Sequence, residues 1–277
     1  MASSFRERYG PWALVTGASS GIGAEFARHL GSLGFNLVLV ARRVTRLQAL
    51  AQEITGAHGC EVRSVECDLG SAQVLETLRP HLADLDLGLL VNNAGFANTG
   101  AVVDNDLEHE LQLLHVNCRA YLTLSHEVGR RLAARGRGGI ILVSSTMAFT
   151  PAALWAHYSA SKAYALALGE AMHDEMRPRG VDVLAVCPGP SRTGLYESAD
   201  QDLSRVPAMF RPFLVEPQQV VTTALGSLGR KRSVVVGWPN KAAQLMTRFV
   251  PRSMPSRNVA TFVAAVRRRP PGSGESD

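Results

Sequence analysis

The sequence predicts an α/β fold, a doubly wound parallel sheet of about seven strands with helices on both faces. Short apolar runs alternate with longer amphipathic segments along most of the chain. A glycine-rich turn joins the first apolar run to the first amphipathic segment. The chain has 277 residues, of which 46% are hydrophobic, so it is long enough to bury a large core.

The first strand, turn and helix carry a pattern suited to binding phosphate. An apolar run covers residues 12–16, and a helical pattern follows over 24–33. Glycines let the backbone approach a ligand, and a helix N-terminus offers free N–H groups to a pyrophosphate. The spacing is GxxxGxG rather than GxGxxG, so a glycine turn without a ligand is the alternative. The predicted cofactor-binding positions of this turn are Gly17, Ser19, Ser20, Gly21, Ile22 and Gly23.

Two arginines follow the second predicted strand, residues 36–41. Ala41 stands where an acid would bind a ribose 2′-hydroxyl, and Arg42 and Arg43 come next. Arginine suits a 2′-phosphate because its guanidinium can donate two parallel hydrogen bonds. NADP(H) is therefore the predicted cofactor. The alternative is that both arginines are solvated at the start of a helix, here predicted over 44–55.

The rest of the chain continues the alternation. Further strands are predicted at 61–67, 87–91, 140–145, 181–187 and 233–236, and further helices at 71–82, 106–132, 158–176 and 216–228. Carboxyl ends of parallel strands meet at one edge of the sheet, where ligands collect. The residues that follow these ends include Asp68, Leu69, Asn93, Ala94, Gly95, Pro188 and Gly189. The irregular segment 191–215 is predicted to be a substrate loop.

One helix carries a candidate proton donor. Tyr158 and Lys162 are four residues apart and therefore share a helix face. A free tyrosine titrates near pH ~10, and a neighbouring lysine is expected to lower that pKa and make the phenol usable for proton transfer. Ser145 ends the strand predicted before this helix. The three suggest a carbonyl or alcohol oxygen held between two hydroxyls. The alternative is an ordinary amphipathic helix.

Composition narrows the possible partners. The four cysteines form no CxxC pair and the histidines show no metal-ligand spacing, so a reducing, cytoplasmic setting without a metal is expected. No apolar run could span a bilayer, and no secretory signal is visible. The net charge of +5 is unevenly distributed, because 217–274 contains ten Lys and Arg residues and no acid. A nucleic-acid partner is not predicted.

Together these motifs resemble the short-chain dehydrogenase/reductase family over about residues 12–236, especially members related to hydroxysteroid and 3-oxoacyl reductases. The resemblance implies a Rossmann-like fold. It also implies a catalytic set of Asn117, Ser145, Tyr158 and Lys162. The matching family motifs that complete the cofactor site are Asp68 with Leu69, Asn93 to Gly95, and Pro188, Gly189, Ser191 and Thr193.

The family pattern implies a role for each catalytic residue. Tyr158 would be the general acid in reduction and the base in oxidation, and Ser145 would hydrogen-bond the substrate oxygen. Lys162 would bind the nicotinamide ribose and lower the Tyr158 pKa. Asn117 would hold a water that links Lys162 to solvent, the alternative being a helix asparagine satisfied by backbone. The turn at 188–193 would fix the carboxamide.

A lipophilic substrate is expected. Apolar residues that could surround a pocket are Phe96, Met147, Phe149, Leu154 and Trp155, although each could equally be plain core. An apolar pocket would suit a lipophilic ketone, an aldehyde or an acyl chain. The chain is also expected to form a homo-oligomer, a dimer or a tetramer. A non-catalytic dinucleotide sensor and a membrane-peripheral scaffold on the same fold are the competing functions.

The predicted organisation is a dinucleotide-binding domain over 1–238, a basic helical extension over 239–269 and a disordered tail over 270–277. Helices are predicted at 241–250 and 256–268. The second carries one apolar stripe, made of Val259, Phe262, Val263 and Val266. This stripe could dock on the protein's own body or a second subunit, or it could bind an anionic membrane.

Overall fold

The computed structural model describes residues 2–191, 205–247, 249, 261–263 and 265–266. At the centre of the fold lies a seven-stranded sheet in which every pair of neighbouring strands is parallel. The strand order is β3-β2-β1-β4-β5-β6-β7. The strands are β1 Trp12–Thr16, β2 Asn36–Ala41, β3 Val62–Glu66, β4 Leu87–Asn92, β5 Gly138–Val143, β6 Val181–Cys187 and β7 Ser233–Val235. The doubly wound parallel sheet predicted from the sequence is confirmed.

Nine α-helices have both ends within the described residues, and residues 261–263 and 265–266 are helical as well. The nine are α1 Ala2–Tyr9, α2 Gly21–Ser32, α3 Val44–His58, α4 Val74–Leu82, α5 Leu107–Leu114, α6 Ala120–Arg135, α7 Ala156–Met176, α8 Pro217–Ser227 and α9 Trp238–Met246. Side chains of α2, α3 and α8 pack in one buried cluster, and those of α4, α6 and α7 pack in another. Helices therefore cover both faces of the sheet, which explains why its central strands are almost wholly apolar.

The sheet reverses its winding direction between β1 and β4. The chain leaves β1 towards β2 and β3, and then returns to place β4 on the other side of β1. A crevice forms outside the carboxyl ends of strands at such a point, and it is where ligands bind in doubly wound sheets. The residues that follow β1, β4 and β5 are thereby brought to one edge.

Several predicted boundaries are wrong. The helix predicted over 106–132 is interrupted by a π-helical turn, His115–Arg119, which periodicity in the sequence does not reveal. The helix predicted over 71–82 begins only at Val74, and the one predicted over 241–250 spans α9 instead. The sequence analysis also missed α1, which lacks a strong apolar stripe and is held by Tyr9, whose hydroxyl donates to Asp182 over 2.6 Å.

The apolar stripe of the C-terminal extension is buried where it is described. Phe262, Val263 and Val266 have exposed fractions of 6%, 0% and 0% and pack in a cluster with Trp155 and Tyr158. Val259 and the tail 270–277 lie outside the described residues. The observed burial matches docking on the protein's own body. The division into 1–238, 239–269 and 270–277 stays a prediction.

Candidate active site

A single cavity of about 340 Å³ lies at the crevice and connects the glycine turn to Tyr158. It is lined from the β1 side by the turn and the arginines, and from the β5 side by Ser145, Tyr158 and Lys162. Segments more than a hundred residues apart in sequence therefore share one site. The sequence-predicted site residues that line it are Gly17, Ser19, Ser20, Gly21, Ile22, Arg42, Arg43, Asp68, Leu69, Asn93, Ala94, Gly95, Ser145, Tyr158, Lys162, Pro188, Gly189 and Ser191.

Three predicted positions stand apart from this lining. Gly23 and Asn117 are not among the lining residues, and Thr193 lies outside the described residues. The lining also includes Cys67, Val116, Val143 and Ser144, which the sequence analysis did not select. Cys67, Val143 and Ser144 lie at the ends of strands, one or two residues before the selected positions, whereas Val116 lies in the π-helical turn beside Asn117.

Close packing explains the glycines of the turn. Gly17 has a φ of +66°, and a Cβ there would lie 2.8 Å from Ala94 Cα. A Cβ at Gly23 would lie 2.4 Å from the Gly17 carbonyl oxygen, so Gly23 packs the helix against the turn and does not face the cavity. These positions admit no side chain without moving backbone. The turn is held flat against Asn93, whose Nδ2 donates to the Thr16 carbonyl over 2.9 Å.

The start of α2 is suited to an anion. Ser20 is the N-cap residue, but its side chain makes no capping hydrogen bond to the helix. The first N–H groups of a helix have no intrahelical partner, and the helix dipole adds a partial positive charge there. Because this N-terminus opens on the cavity, the residues present fit a dinucleotide pyrophosphate.

Arg43 reaches back over the same turn. Its Nη2 donates to Ser19 Oγ over 3.0 Å and to Ser20 Oγ over 2.9 Å. Arg42 also lines the cavity and is exposed. The guanidinium beside Ser19 creates a positive subsite next to Ala41, where no carboxylate opposes a phosphate.

Asp68 follows the third strand, as predicted, and its carboxylate accepts a hydrogen bond from a nearby backbone N–H. Its Oδ1 accepts from the Gly70 backbone N–H over 2.9 Å. Asp68 and Leu69 both line the cavity beside Cys67. The carboxylate therefore shapes the turn that forms this wall of the site.

Ser145, Tyr158 and Lys162 converge at the other end of the cavity. Their exposed fractions are 8%, 4% and 4%, and Ser145 is near enough to Tyr158 to lower its pKa. Lys162 Nζ donates to the Val143 carbonyl over 3.1 Å and lies 5.7 Å from the centroid of the Tyr158 ring. The Ser144 hydroxyl donates to the Lys162 backbone carbonyl over 2.7 Å, which ties α7 to the end of β5.

The expected effect of Lys162 on Tyr158 is not observed. Burial raises the pKa of Tyr158 to about 12, and the hydrogen bond with Ser145 lowers it only in part. Burial also lowers the pKa of Lys162 to about 8. Lys162 is not among the groups that shift the Tyr158 pKa, so its lowering effect stays a prediction, and burial accounts for the raised value. Tyr158 keeps its proton at neutral pH.

Asn117 occupies the centre of the π-helical turn and is fully buried. Its Nδ2 donates to the Phe96 carbonyl over 2.9 Å and to Ser161 Oγ over 3.0 Å, and its Oδ1 accepts from the Phe96 N–H over 3.1 Å. The side-chain amide of Asn117 is thus hydrogen-bonded to protein groups, which matches the alternative of an asparagine satisfied by backbone. Asn117 fixes the loop after Gly95 against α7.

Apolar residues from distant segments pack around Tyr158. Trp155 stacks edge-on against Tyr158 with ring centroids 5.0 Å apart, and its Nε1 donates to Thr99 Oγ1 over 2.9 Å. Phe210 packs edge-on against Phe262, with centroids 5.3 Å apart. The same cluster includes the expected pocket residues Phe96, Met147 and Leu154, whereas Phe149 packs in a different cluster.

A partly buried, hydrogen-bonded histidine–glutamate pair lies directly before Tyr158. His157 Nδ1 contacts Glu110 Oε2 at 2.5 Å, and Asn105 Nδ2 donates to Glu110 Oε1 over 2.6 Å. Burial raises the Glu110 pKa, but hydrogen bonds led by that from His157 outweigh it and leave the pKa below its usual value. The pair joins α5 to the first turn of α7. The sequence analysis missed it because its partners are 47 residues apart.

Among the described residues, no cluster of histidine, cysteine and acidic side chains could hold a metal ion. Within the same part of the chain, no helix combines the length and apolar character needed to cross a membrane.

The fold and this constellation define a class of dinucleotide-binding α/β proteins with a buried tyrosine in the ligand cavity. Residues 11–204 match the family described as short chain dehydrogenase, and the chain belongs to that family. The chain is 32% identical over 238 residues to the 7beta-hydroxysteroid dehydrogenase of Collinsella aerofaciens, which covers 86% of this chain and 90% of that protein.

Solved structures show the same likeness. A structure from work on 7beta-hydroxysteroid dehydrogenase stereoselectivity superposes with a TM-score of 0.85 at 29% identity, covering 92% of this chain and 98% of that one. A short-chain dehydrogenase from Sphingobium yanoikuyae in complex with NADPH has a TM-score of 0.75 at 31% identity, covering 88% and 98%. The chain is therefore an NAD(P)-dependent oxidoreductase acting on alcohol or ketone substrates.

Proposed function

We propose that the protein transfers hydride between NADP(H) and a lipophilic ketone, aldehyde or secondary alcohol, with Tyr158 as the proton donor or acceptor. One observation carries the proposal. A single cavity joins the positive subsite beside Arg43 to the buried hydroxyls of Tyr158 and Ser145. The first end suits a phosphorylated dinucleotide, and the second suits a carbonyl oxygen.

In this proposal the bound nicotinamide supplies the hydride chemistry, and the protein orients the substrate and moves the proton. Ser145 and Tyr158 donate hydrogen bonds to the substrate oxygen. Tyr158 then transfers its proton to that oxygen as the alcohol forms. Its pKa of about 12 keeps the phenol protonated at neutral pH, which is the form that can donate a proton during reduction. Tyr158 would act as the base in the opposite direction.

Lys162 supports this chemistry through its charge. The ammonium group is buried beside the Tyr158 ring, so its positive charge would stabilise the phenolate left after proton transfer. Its pKa of about 8 keeps most of that charge at neutral pH. Asn117 would support the site indirectly, by hydrogen bonding to Phe96 and so fixing the loop after β4. This loop places Gly95 next to Lys162.

The preference for NADP(H) rests on Ala41, Arg42 and Arg43. The guanidinium beside Ser19 would pair with a 2′-phosphate, and the neighbouring Ala41 offers no carboxylate to a 2′-hydroxyl. Gly17 to Gly23 and α2 would bind the pyrophosphate. Asp68 and Leu69 would contact the cofactor near its adenine. Asn93 to Gly95 would contact the cofactor from the sheet edge after β4. Pro188, Gly189, Ser191 and Thr193 would bind the carboxamide.

The lipophilic substrate is supported by the aromatic cluster around Tyr158 and by the hydroxysteroid specificity named for a relative. Homo-oligomer formation and a cytoplasmic location remain expectations. A panel of ketones, aldehydes and alcohols, each tested with NADPH or NADP⁺ by absorbance of the reduced cofactor, tests the proposal. Turnover is expected for bulky apolar carbonyls. Cofactor binding without turnover of any compound would favour a non-catalytic dinucleotide sensor.

A further inference from the structure

Helix α9 presents an apolar face to solvent. Trp238, Ala242 and Leu245 recur at helical spacing, and Phe249 continues their line beyond the helix end. Trp238 is 79% exposed, Leu245 51% and Phe249 76%. Met246, 57% exposed, lies beside them. These five residues are called the α9 surface. An aromatic and aliphatic face of this kind is unusual on a solvent-facing helix.

The orientation of α9 is fixed from its inner side. Asn240 is 4% exposed, and its Nδ2 donates to the carbonyls of Phe213 and Val236, each over 3.0 Å. The helix packs against the turn 208–213, on which Met209 is 70% exposed. The apolar face is thus held outward beside a segment that packs near Tyr158.

Charge distinguishes the α9 surface from another exposed apolar group, at Val103 and Leu107. Arg211 and Lys241 are exposed on the turn 208–213 and on α9, and the sequence from 217 to 274 contains no acid. By contrast, the exposed Val103 and Leu107 stand among Asp104, Asp106 and Glu108. Basic residues beside an apolar face complement an anionic lipid surface, whereas acids oppose it.

We infer that the α9 surface docks on an anionic lipid bilayer and brings the substrate end of the cavity to the membrane. The apolar stripe that the sequence suggested for membrane binding cannot serve, because Phe262, Val263 and Val266 are buried. The α9 surface is a different set of residues. Trp and Phe would insert at the headgroup level, and Arg211 and Lys241 would contact anionic headgroups. A lipophilic ketone dissolved in the bilayer would then reach the site without crossing water.

The three tryptophans allow a sharp test. Trp12 and Trp155 are 7% and 2% exposed, so Trp238 alone can meet lipid from the surface. Fluorescence of the full-length protein is measured with phosphatidylglycerol/phosphatidylcholine vesicles whose acyl chains are brominated. Quenching is expected with anionic vesicles, weakened by high salt and small with pure phosphatidylcholine. Trp238→Phe should abolish most of the quenching while leaving vesicle co-sedimentation within about threefold.

A double variant, Leu245→Gln with Phe249→Ser, provides the second readout. It should weaken co-sedimentation by about tenfold or more while leaving turnover of a water-soluble ketone unchanged. The matched control, Val103→Ser with Leu107→Gln, should bind vesicles like the unmodified protein. Absence of quenching would overturn the inference. It would also be overturned if light scattering showed that the double variant dissociates an oligomer whose interface already covers Trp238.

Discussion

The two ends of the cavity are built in different ways. The cofactor end is assembled from short segments that each directly follow a strand, and its polar groups come from neighbours in sequence such as Ser19, Ser20 and Gly21. At the substrate end, Phe96 and Trp155 line the cavity, and Phe210 and Phe262 pack in the same apolar cluster behind them, so four separate segments contribute. The cofactor end is built from local motifs that recur after strands. The substrate end depends on contacts between segments that are distant in sequence. A change at one end should therefore leave the other largely intact.

The largest effect is expected from Tyr158→Phe, which removes only the hydroxyl. Turnover of a good ketone should fall by ~10²–10⁴-fold, because general acid catalysis contributes about that much. NADPH affinity, followed by cofactor fluorescence, should change little. Trp155→Phe, a neighbouring aromatic change that keeps the phenol, is the control. Near-normal kcat in Tyr158→Phe would remove Tyr158 from the chemistry.

Arg43→Ala tests the cofactor end alone. Loss of a charge-assisted hydrogen bond to the 2′-phosphate is worth about 1.5–3 kcal/mol, so NADPH affinity should fall roughly tenfold or more. NADH affinity should stay nearly constant, since NADH has no 2′-phosphate for Arg43 to bind. Parallel fluorescence titrations with both cofactors, and with Arg46→Ala as an exposed control on α3, measure the change. An equal loss for both cofactors would show that Arg43 only supports the glycine turn.

Much of the cofactor end could be predicted from sequence, because glycine turns and strand ends are local features with a fixed spacing. Arg43 was chosen together with Arg42, but its contacts with Ser19 and Ser20 depend on how α3 begins. The substrate end was predicted only in part. Residues such as Phe210 and Phe262 carry no local signal of meeting, since their contact depends on the path of the whole chain.

The pKa values at the site could not be predicted from the sequence either. Spacing placed Tyr158 and Lys162 on one face correctly, but it could not reveal how deeply both are buried, and burial sets their pKa values. The π-helical turn around Asn117 was likewise invisible to a 3.6-residue periodicity. These features depend on tertiary packing, which overrides local pattern.

Phe262→Ala tests the substrate end alone. An aromatic pair contributes about 0.5–1.5 kcal/mol beyond buried area, so KM for a bulky ketone should rise about two- to tenfold. NADPH affinity should be unaffected, because Phe262 does not line the cavity and packs only in the apolar cluster behind its substrate end. Phe249→Ala, at an exposed phenylalanine, is the matched control and should leave KM for a water-soluble ketone unchanged. Equal losses in KM and NADPH affinity would contradict the separation of the two ends.

The smallest effect on activity is expected from Glu110→Gln, which should act on stability instead. The variant should lose about 1–3 kcal/mol of unfolding free energy at pH 7, because the bonds to Glu110 involve a buried charge. The folded pKa of Glu110 lies below its unfolded value, so its contribution is present above about pH 4.3 and is lost as pH falls through the folded pKa. Denaturant unfolding at pH 7 and pH 4 should show the difference between variant and unmodified protein shrinking at the lower pH. Glu108→Gln, exposed on the same helix, is the control.

Transfer of deuterium tests the central claim most directly. The protein is incubated with a bulky polycyclic ketone and with NADPH that carries deuterium at both C4 positions of the nicotinamide, and the mass of the alcohol product is measured by mass spectrometry. The account predicts that the product gains one mass unit at the former carbonyl carbon, and that Tyr158→Phe forms this product far more slowly while still binding NADPH. Binding of NADPH without labelled alcohol from any ketone tested would contradict it.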